Sequence, residues 1–191
     1  MEVLTEKKAK SITWTEFRDM DFPEGDTSIY ELINGEIVKR ASPNSPHQRV
    51  SRNLTVLIEI YNREKKLGEI FTAPFDVFFD EKNAGVQPDL LFVSNERSFI
   101  IQKDNGIVGA PDLVVEIVSK GSVQNDRVTK KELYERFAVK EYWIVDPRYK
   151  TIEVYRMEND CYRLFSFAEE EGVIKSSVLE GFEGDVKNIF E

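Results

Sequence analysis

Apolar residues change their spacing several times along the chain, and each change marks an element. In SITWTEFRDM, Trp14 and Phe17 stand three apart behind Thr13 and Thr15, either of which can cap, which predicts a short helix. IYELINGEIVKR alternates on both sides of Asn34-Gly35, a dipeptide that accepts the positive φ of a tight turn, and predicts a hairpin. From Ser45 the period lengthens. Ser45 as cap and Pro46 at the first helical position lead into His47, Val50, Leu54, Leu57, Ile58 and Tyr61 at helical spacing, so a helix with one buried stripe is expected up to Gly68.

Three strand-like runs follow. EIFTAPFDVFFD sets Phe71, Ala73, Phe75, Val77 and Phe79 on one face, VQPDLLFV comes after the turn-rich EKNAG, and DLVVEIVS comes after a loop with Gly106, Gly109 and Pro111. A second helix is expected over residues 125–138, with Leu133, Tyr134, Phe137 and Ala138 as its apolar side. EYWIVDP is a further strand, stopped by Pro147, and TIEVYR, CYRLFSF and VIKSSVL are three more, with NIF docking a last turn. The central order of helix, three strands, helix, strand predicts an α/β or α+β fold: a mixed sheet flanked by helices, with an extra N-terminal hairpin and extra C-terminal strands.

Length and charge narrow the class. The 191 residues are expected to form one domain, 1–191, with a full core. A net charge of −9 argues against a surface that binds nucleic acid everywhere, though it leaves room for a local basic groove. Cys161 is the only cysteine, so no intramolecular disulfide forms and a reducing, cytoplasmic setting is expected. No run approaches the ~18 apolar residues of a membrane span.

The chemistry is expected at acids near strand ends. In the extended run DLVVEIVS, Asp112, Val114, Glu116 and Val118 share one face. Asp89 begins the apolar part of VQPDLLFV, and if the two strands are neighbours Asp89 and Glu116 meet. Two carboxylates held close in a partly dry place repel unless a cation lies between them, and Mg²⁺ or Mn²⁺ prefers such oxygen ligands. The structural alternative for either acid is loop capping or pairing with Arg or Lys.

Pro88-Asp89 followed by Glu116 resembles the PD-(D/E)XK nuclease superfamily, whose core is αβββαβ. More narrowly, YELINGEI, SPNSPH, VQPDLLFV, GAPDLVVEIVS, the Asp126, Lys130, Tyr134 spacing, VKEYWIVDP and LEGF are similar, in order, to the Uma-two family of restriction-endonuclease-like proteins. The resemblance implies a Mg²⁺-dependent endonuclease acting on DNA, with Mn²⁺ as a substitute ion, Asp89 and Glu116 as ligands, and a homodimer that addresses two strands. It departs from the superfamily at Val118, where a lysine is expected two residues after the acid. Lys130, on or beside the inward face of the second helix, is the substitute this family implies; the bland alternative is a lysine that snorkels to water. Lys131 falls about 100° away on a solvated side near Glu135.

The remaining candidates carry two readings each. Glu31 matches the family's hairpin acid and completes the metal site, or else pairs across the hairpin with Lys39 or Arg40. His47, the only histidine, matches a family histidine and serves as general base or substrate contact, or else as a packed structural residue. Asp112 is expected to shape its loop, Ser119 and Asp126 to orient the second helix, and Tyr134 to belong to the core. Lys39, Arg40, Arg49, Arg52, Lys120, Arg127, Lys130 and Lys131 could track phosphates around the site. Two other functions fit the same residues: a binding module that kept the scaffold and lost catalysis, and a metal-dependent phosphoesterase for a smaller substrate.

Overall fold

The computed structural model describes residues 11–80, 84–103 and 106–191. Helix α1 (Trp14–Arg18) starts at a capping box in which Thr13 and Glu16 bond reciprocally. Strands β1 (Ile29–Ile33) and β2 (Glu36–Arg40) form the expected hairpin, with Asn34 and Gly35 at φ 54° and 77°. Helix α2 (Ser45–Lys65) is capped one residue earlier than expected: the Asn44 side chain accepts from the His47 N–H, and Ser45 is already helical.

The apolar run after α2 corrects one expectation. EIFTAPFDVFFD is not one strand with a single face; it breaks at Ala73-Pro74 into β3 (Gly68–Thr72) and β4 (Val77–Asp80), which belong to different sheets. Proline has no N–H for the ladder, so the strand stops there, although Phe71 and Phe75 pack against each other across the break. Phe71 stacks on Phe75 at 4.4 Å, whereas Phe79 stacks on Phe137 at 4.8 Å.

The rest of the chain adds β5 (Ala84–Val86), β6 (Leu90–Ser94), a 3₁₀ turn (Asn95–Ile100), β7 (Ile101–Gln102), β8 (Gly106–Val108) and β9 (Leu113–Ile117). After it come a π-helical turn (Asn125–Lys130), α3 (Lys131–Arg136), β10 (Glu141–Asp146), β11 (Thr151–Glu158), β12 (Cys161–Glu169), β13 (Val173–Lys175), β14 (Glu183–Asp185) and α4 (Val186–Phe190). Two six-stranded sheets result. The core sheet runs β12-β11-β10-β9-β6-β3, with β9 and β10 parallel, and a second sheet runs β2-β1-β5-β4-β8-β7. Thus α2, β3, β6, β9, α3 and β10 supply the expected αβββαβ core of this α+β fold, and β11 and β12 extend it. The hairpin and the short strands β4, β5, β7 and β8 build a sheet that the local pattern did not show. Of VIKSSVL only residues 173–175 are a strand.

The core sheet is covered on both faces. On one side Val50, Leu54 and Ile58 of α2 and Val186 and Ile189 of α4 pack on Leu113, Val115 and Ile117. On the other, Leu133 and Tyr134 of α3 and Ile33, Val77 and Val86 of the second sheet pack on Leu91, Val114, Val118 and Ile144. α1 closes the second sheet: Trp14 lies so near Gly85 that a Cβ there would sit 1.9 Å from the indole. Among the described residues no helix is long and apolar enough to cross a membrane.

Buried Glu141 at the head of β10 was not anticipated. Its carboxylate accepts from the Trp143 indole N–H and Ser176 Oγ–H, and from the Val178 N–H, which pins the turn that replaces the end of the expected VIKSSVL strand.

Candidate active site between the two sheets

β6 and β9 pair antiparallel with Leu90 opposite Val115 and Leu91 opposite Val114. One step further along that register, Asp89 comes opposite Glu116. Asp89 shares the face of Leu91, and Glu116 that of Val114, so both point toward the second sheet. Glu31 on β1 faces them from that sheet. All three carboxylates are buried, Glu31 and Glu116 with no exposure at all.

Burial of this kind is unfavourable unless each oxygen is bonded. Lys130 Nζ donates to Glu31 Oε1 and Glu116 Oε1, both at 2.8 Å, and Tyr134 Oη donates to Glu116 Oε1 at 2.6 Å. The Gln87 N–H donates to Glu31 Oε1 at 3.0 Å, and the Ile117 N–H to Asp89 Oδ2 at 2.7 Å. His47 Nε2 lies 3.1 Å from the same Asp89 Oδ2. Each acid thus has one oxygen held by the fold. The second oxygens, Glu31 Oε2, Asp89 Oδ1 and Glu116 Oε2, all turn to the guanidinium of Arg40 at 3.3–3.4 Å.

The structure therefore brings Asp89, Glu116, Glu31, Lys130 and His47 together, each within hydrogen-bonding reach of another member. Lys130 does not snorkel: it is fully buried at the end of a π-helical turn, not in the regular α-helix expected over residues 125–138. Such turns recur at functional sites because they re-aim one side chain without breaking the helix. Val118 is packed in the apolar cluster beside Leu133 and Tyr134, and the amine reaches Glu116 from the helix instead. Lys131 stands over the Tyr155 ring at 3.6 Å, outside the acid cluster. Tyr134 is core, as expected, and also bonds the site.

Asp112 falls elsewhere, whereas Asp126 stays within electrostatic range of the cluster, its charge acting on Glu116, Lys130 and Arg40. Asp112 sits at the far end of β9, where it accepts from the Ser94 N–H at 2.9 Å and pairs with Arg97 and Lys140, the loop-shaping role expected of it. The Ser119 N–H donates to Ser122 Oγ at 2.9 Å ahead of the π-turn, and Asp126 is buried with Oδ1 unpartnered. Arg40 is the member that residue patterning missed, read only as a partner for Glu31 or a phosphate contact. The signal was available: Glu31 pairs with Val38, so Arg40, two residues on, shares its face.

Charge in the site is nearly balanced. Burial is the largest influence on all three acids and raises them, but Lys130 and Arg40 outweigh it at Glu31, and the His47 and Ile117 bonds with Arg40 outweigh it at Asp89; both are held below their ordinary values. At Glu116 burial wins, and its carboxyl is pushed up to about 8. Asp126 is also raised by burial. Burial acts against the charge on Lys130, yet Glu116 and Glu31 raise its pKa.

These shifts have a stability signature. Glu116 binds its proton more tightly folded than unfolded, so its contribution is full below the unfolded pKa near 4.5 and is lost as pH rises through about 8. Glu31 and Asp89 act oppositely: their contribution is present above the ordinary carboxylate range and lost as pH falls through their lowered values. Urea unfolding of the metal-free chain is expected to show stability falling by at least about 1 kcal/mol from pH 5 to pH 8, with Glu116→Gln flattening that slope. An unchanged slope in the variant would show that Glu116 is not the group responsible.

As a ligand set for a hard divalent cation the three carboxylates are chemically apt, since each offers one oxygen not held by a backbone or lysine donor. Among the described residues no trio of acids, histidines or cysteines is arranged to hold an ion, and the Arg40 guanidinium lies among the second oxygens of the three acids. A cleft of about 570 Å³ opens beside them, reaching Asp89 and His47 and walled by Ile29, Ser42, Gln48 and Arg52.

Comparison with known proteins agrees with this architecture. A crystal structure of a putative nuclease belonging to DUF820 from Anabaena variabilis superposes with a TM-score of 0.73 at 20% identity, covering 94% of this chain and 97% of that one, a likeness of fold. An uncharacterized protein of Synechocystis sp., sll1609, is 24% identical over 135 residues, 70% of this chain and 75% of that protein. The family model described as "Putative restriction endonuclease", Uma2, matches residues 14–187. Nearly the whole chain, including every residue of the acid cluster, lies inside that match, and the protein belongs to the Uma2 family.

Proposed function

We propose that this chain is a divalent-metal-dependent endonuclease that hydrolyses DNA phosphodiester bonds. The observation that carries the reading is the meeting of Asp89 and Glu116 across neighbouring strands with the Lys130 amine 2.8 Å from Glu116 and Glu31 closing the cluster. Asp89, Glu116 and Glu31 would hold Mg²⁺ or Mn²⁺, which supplies Lewis acidity toward water and phosphate oxygens when bound. The residues of the chain do the rest. Ile117 and His47 orient Asp89, Tyr134 and Lys130 orient Glu116, and the buried Lys130 ammonium offsets negative charge that grows on the phosphate in the transition state. The cleft beside Asp89 and His47 would take the nucleotide next to the scissile bond. A homodimer belongs to this reading: β12 ends the core sheet and exposes Leu164 and Phe167.

One observation favours a substrate with few phosphates. Several cations expected to track a duplex are engaged elsewhere: Lys39 with Asp26 at 2.8 Å, Arg127 with Glu153 at 2.6 Å, Lys131 on Tyr155, and Arg40 and Lys130 inside the acid cluster. A single-stranded end or a small phosphodiester needs fewer contacts than a duplex. Incubating the full chain with Mn²⁺ or Mg²⁺ and plasmid, single-stranded oligonucleotide or a chromogenic phosphodiester separates the readings. Cation-dependent nicking that is lost in Lys130→Ala and kept in Lys131→Ala is the expected result. Turnover of the small diester alone would favour the phosphoesterase, and salt-dependent DNA binding without turnover of any substrate would leave a binding module.

A further inference from the structure

The Arg40 guanidinium stands where the second oxygens of three acids converge, and it stands there loosely. Its contacts with Glu31, Asp89 and Glu116 are 3.3–3.4 Å, against 2.8 Å for both bonds of Lys130, and charge-assisted pairs that are well seated close to about 2.7–2.9 Å. Lys130 is sealed, with no side-chain exposure, whereas the Arg40 side chain keeps 10%. Its neighbours also differ. Ile29, the residue paired with Arg40 across the hairpin, and Ser42, two residues beyond it, both wall the cleft that reaches Asp89.

We propose that Arg40 is a resident stand-in for the divalent ion: it holds the three carboxylates together while the ion is absent and is expelled from among them when the ion binds. The inference rests on the reading that these acids are the ion's ligands. A guanidinium and a dication would share the same three oxygens within a few ångströms, and like charges so placed repel, so the two occupancies exclude each other. Lys130 stays because it is held at 2.8 Å by Glu31 Oε1 and Glu116 Oε1; of these Arg40 touches only Glu31 Oε1, at the longer 3.3 Å. The guanidinium has the adjoining cleft to move into, which puts a planar, phosphate-matching fork at the proposed substrate site only after the ion has arrived.

A competitor built into the chain weakens apparent affinity by the fraction of molecules it leaves open. Calorimetric titration of Mn²⁺ into the full chain at fixed pH is expected to show Arg40→Gln binding at least about tenfold more tightly than wild type. In the same variant the metal-free melting temperature should fall below that of wild type, and Mn²⁺ should raise it by more than it raises the wild-type value. Arg40→Lys keeps a cation to assemble the acids but has no fork to span three of them, so it should fold and still bind Mn²⁺ several-fold more tightly than wild type. Equal or weaker Mn²⁺ binding in both variants, with wild type binding well, overturns the stand-in while the metal site survives. Absence of Mn²⁺ binding in wild type and variants alike overturns the metal site and the stand-in together.

Discussion

Replacing Lys130 with methionine is expected to lower the free energy of unfolding by about 3–5 kcal/mol, the range for removing one partner of a buried ion pair. The ammonium is fully buried and bonds two buried carboxylates at 2.8 Å, so truncation leaves Glu31 Oε1 with the Gln87 N–H and Arg40 and leaves Glu116 Oε1 with Tyr134. Glu116, already raised to about 8 by burial, should rise further once the positive charge beside it is gone. The adjacent Lys131→Met is the control. Its ammonium rests on the Tyr155 ring at the surface of the helix, and its loss should cost about 0.5–1 kcal/mol. Urea denaturation of both variants at one pH makes the comparison. Similar costs for the two would mean that the acids do not depend on Lys130.

Asp89→Asn and Glu116→Gln are expected to weaken Mn²⁺ binding by more than about 100-fold, beyond the 10- to 100-fold typical of residues that only support a metal ligand. Each change keeps the shape of the side chain while replacing a carboxyl that can ionise against the ion by a neutral amide. The comparison variant is Tyr134→Phe. Tyr134 supports Glu116 through one hydrogen bond at 2.6 Å and presents no anionic oxygen, so its loss should stay inside the smaller range. Mn²⁺ titration followed by calorimetry or by electron paramagnetic resonance reads the difference. Retention of wild-type affinity in both acid variants would remove the pair from the ligand set, whatever cleavage assays show.

Much of this arrangement was legible from residue order. Helical spacing from His47 to Tyr61, the alternation around Asn34-Gly35 and the apolar run at Glu116 each report a local rule, and local rules suffice to order helix, strands, helix and strand. The pairing of Asp89 with Glu116 was also within reach, since two strands in sequence with acids near their ends are commonly neighbours. The apolar stretch from Glu69 to Asp80 was not. Alternation reads the same whether one strand continues or two strands part at Ala73-Pro74, and the choice depends on which residues elsewhere complete each ladder. The short strands β5, β7 and β8, of two or three residues, are too brief for any period to register.

Charged residues show the same division. Lys130 could be assigned to the inward side of its helix from Leu133, Tyr134 and Phe137 alone, and the superfamily resemblance marked an amine missing at Val118, so that either catalysis is lost or another lysine takes its place. Neither fact says that the helix begins with a π-turn or that the amine ends 2.8 Å from Glu116. Arg40 is the sharper case. In the hairpin it is one basic residue among several, and by itself it reads as a solvated end or a phosphate contact. Residue spacing carried the αβββαβ order and the facing of Asp89 and Glu116, because both follow from periodicities only a few residues long, while Glu31 entered through the family resemblance. The closing of the second sheet over the first set the charge balance at the site, because burial, and with it the energy of every ion there, is a property of segments brought together from residues 31, 40, 89, 116 and 130.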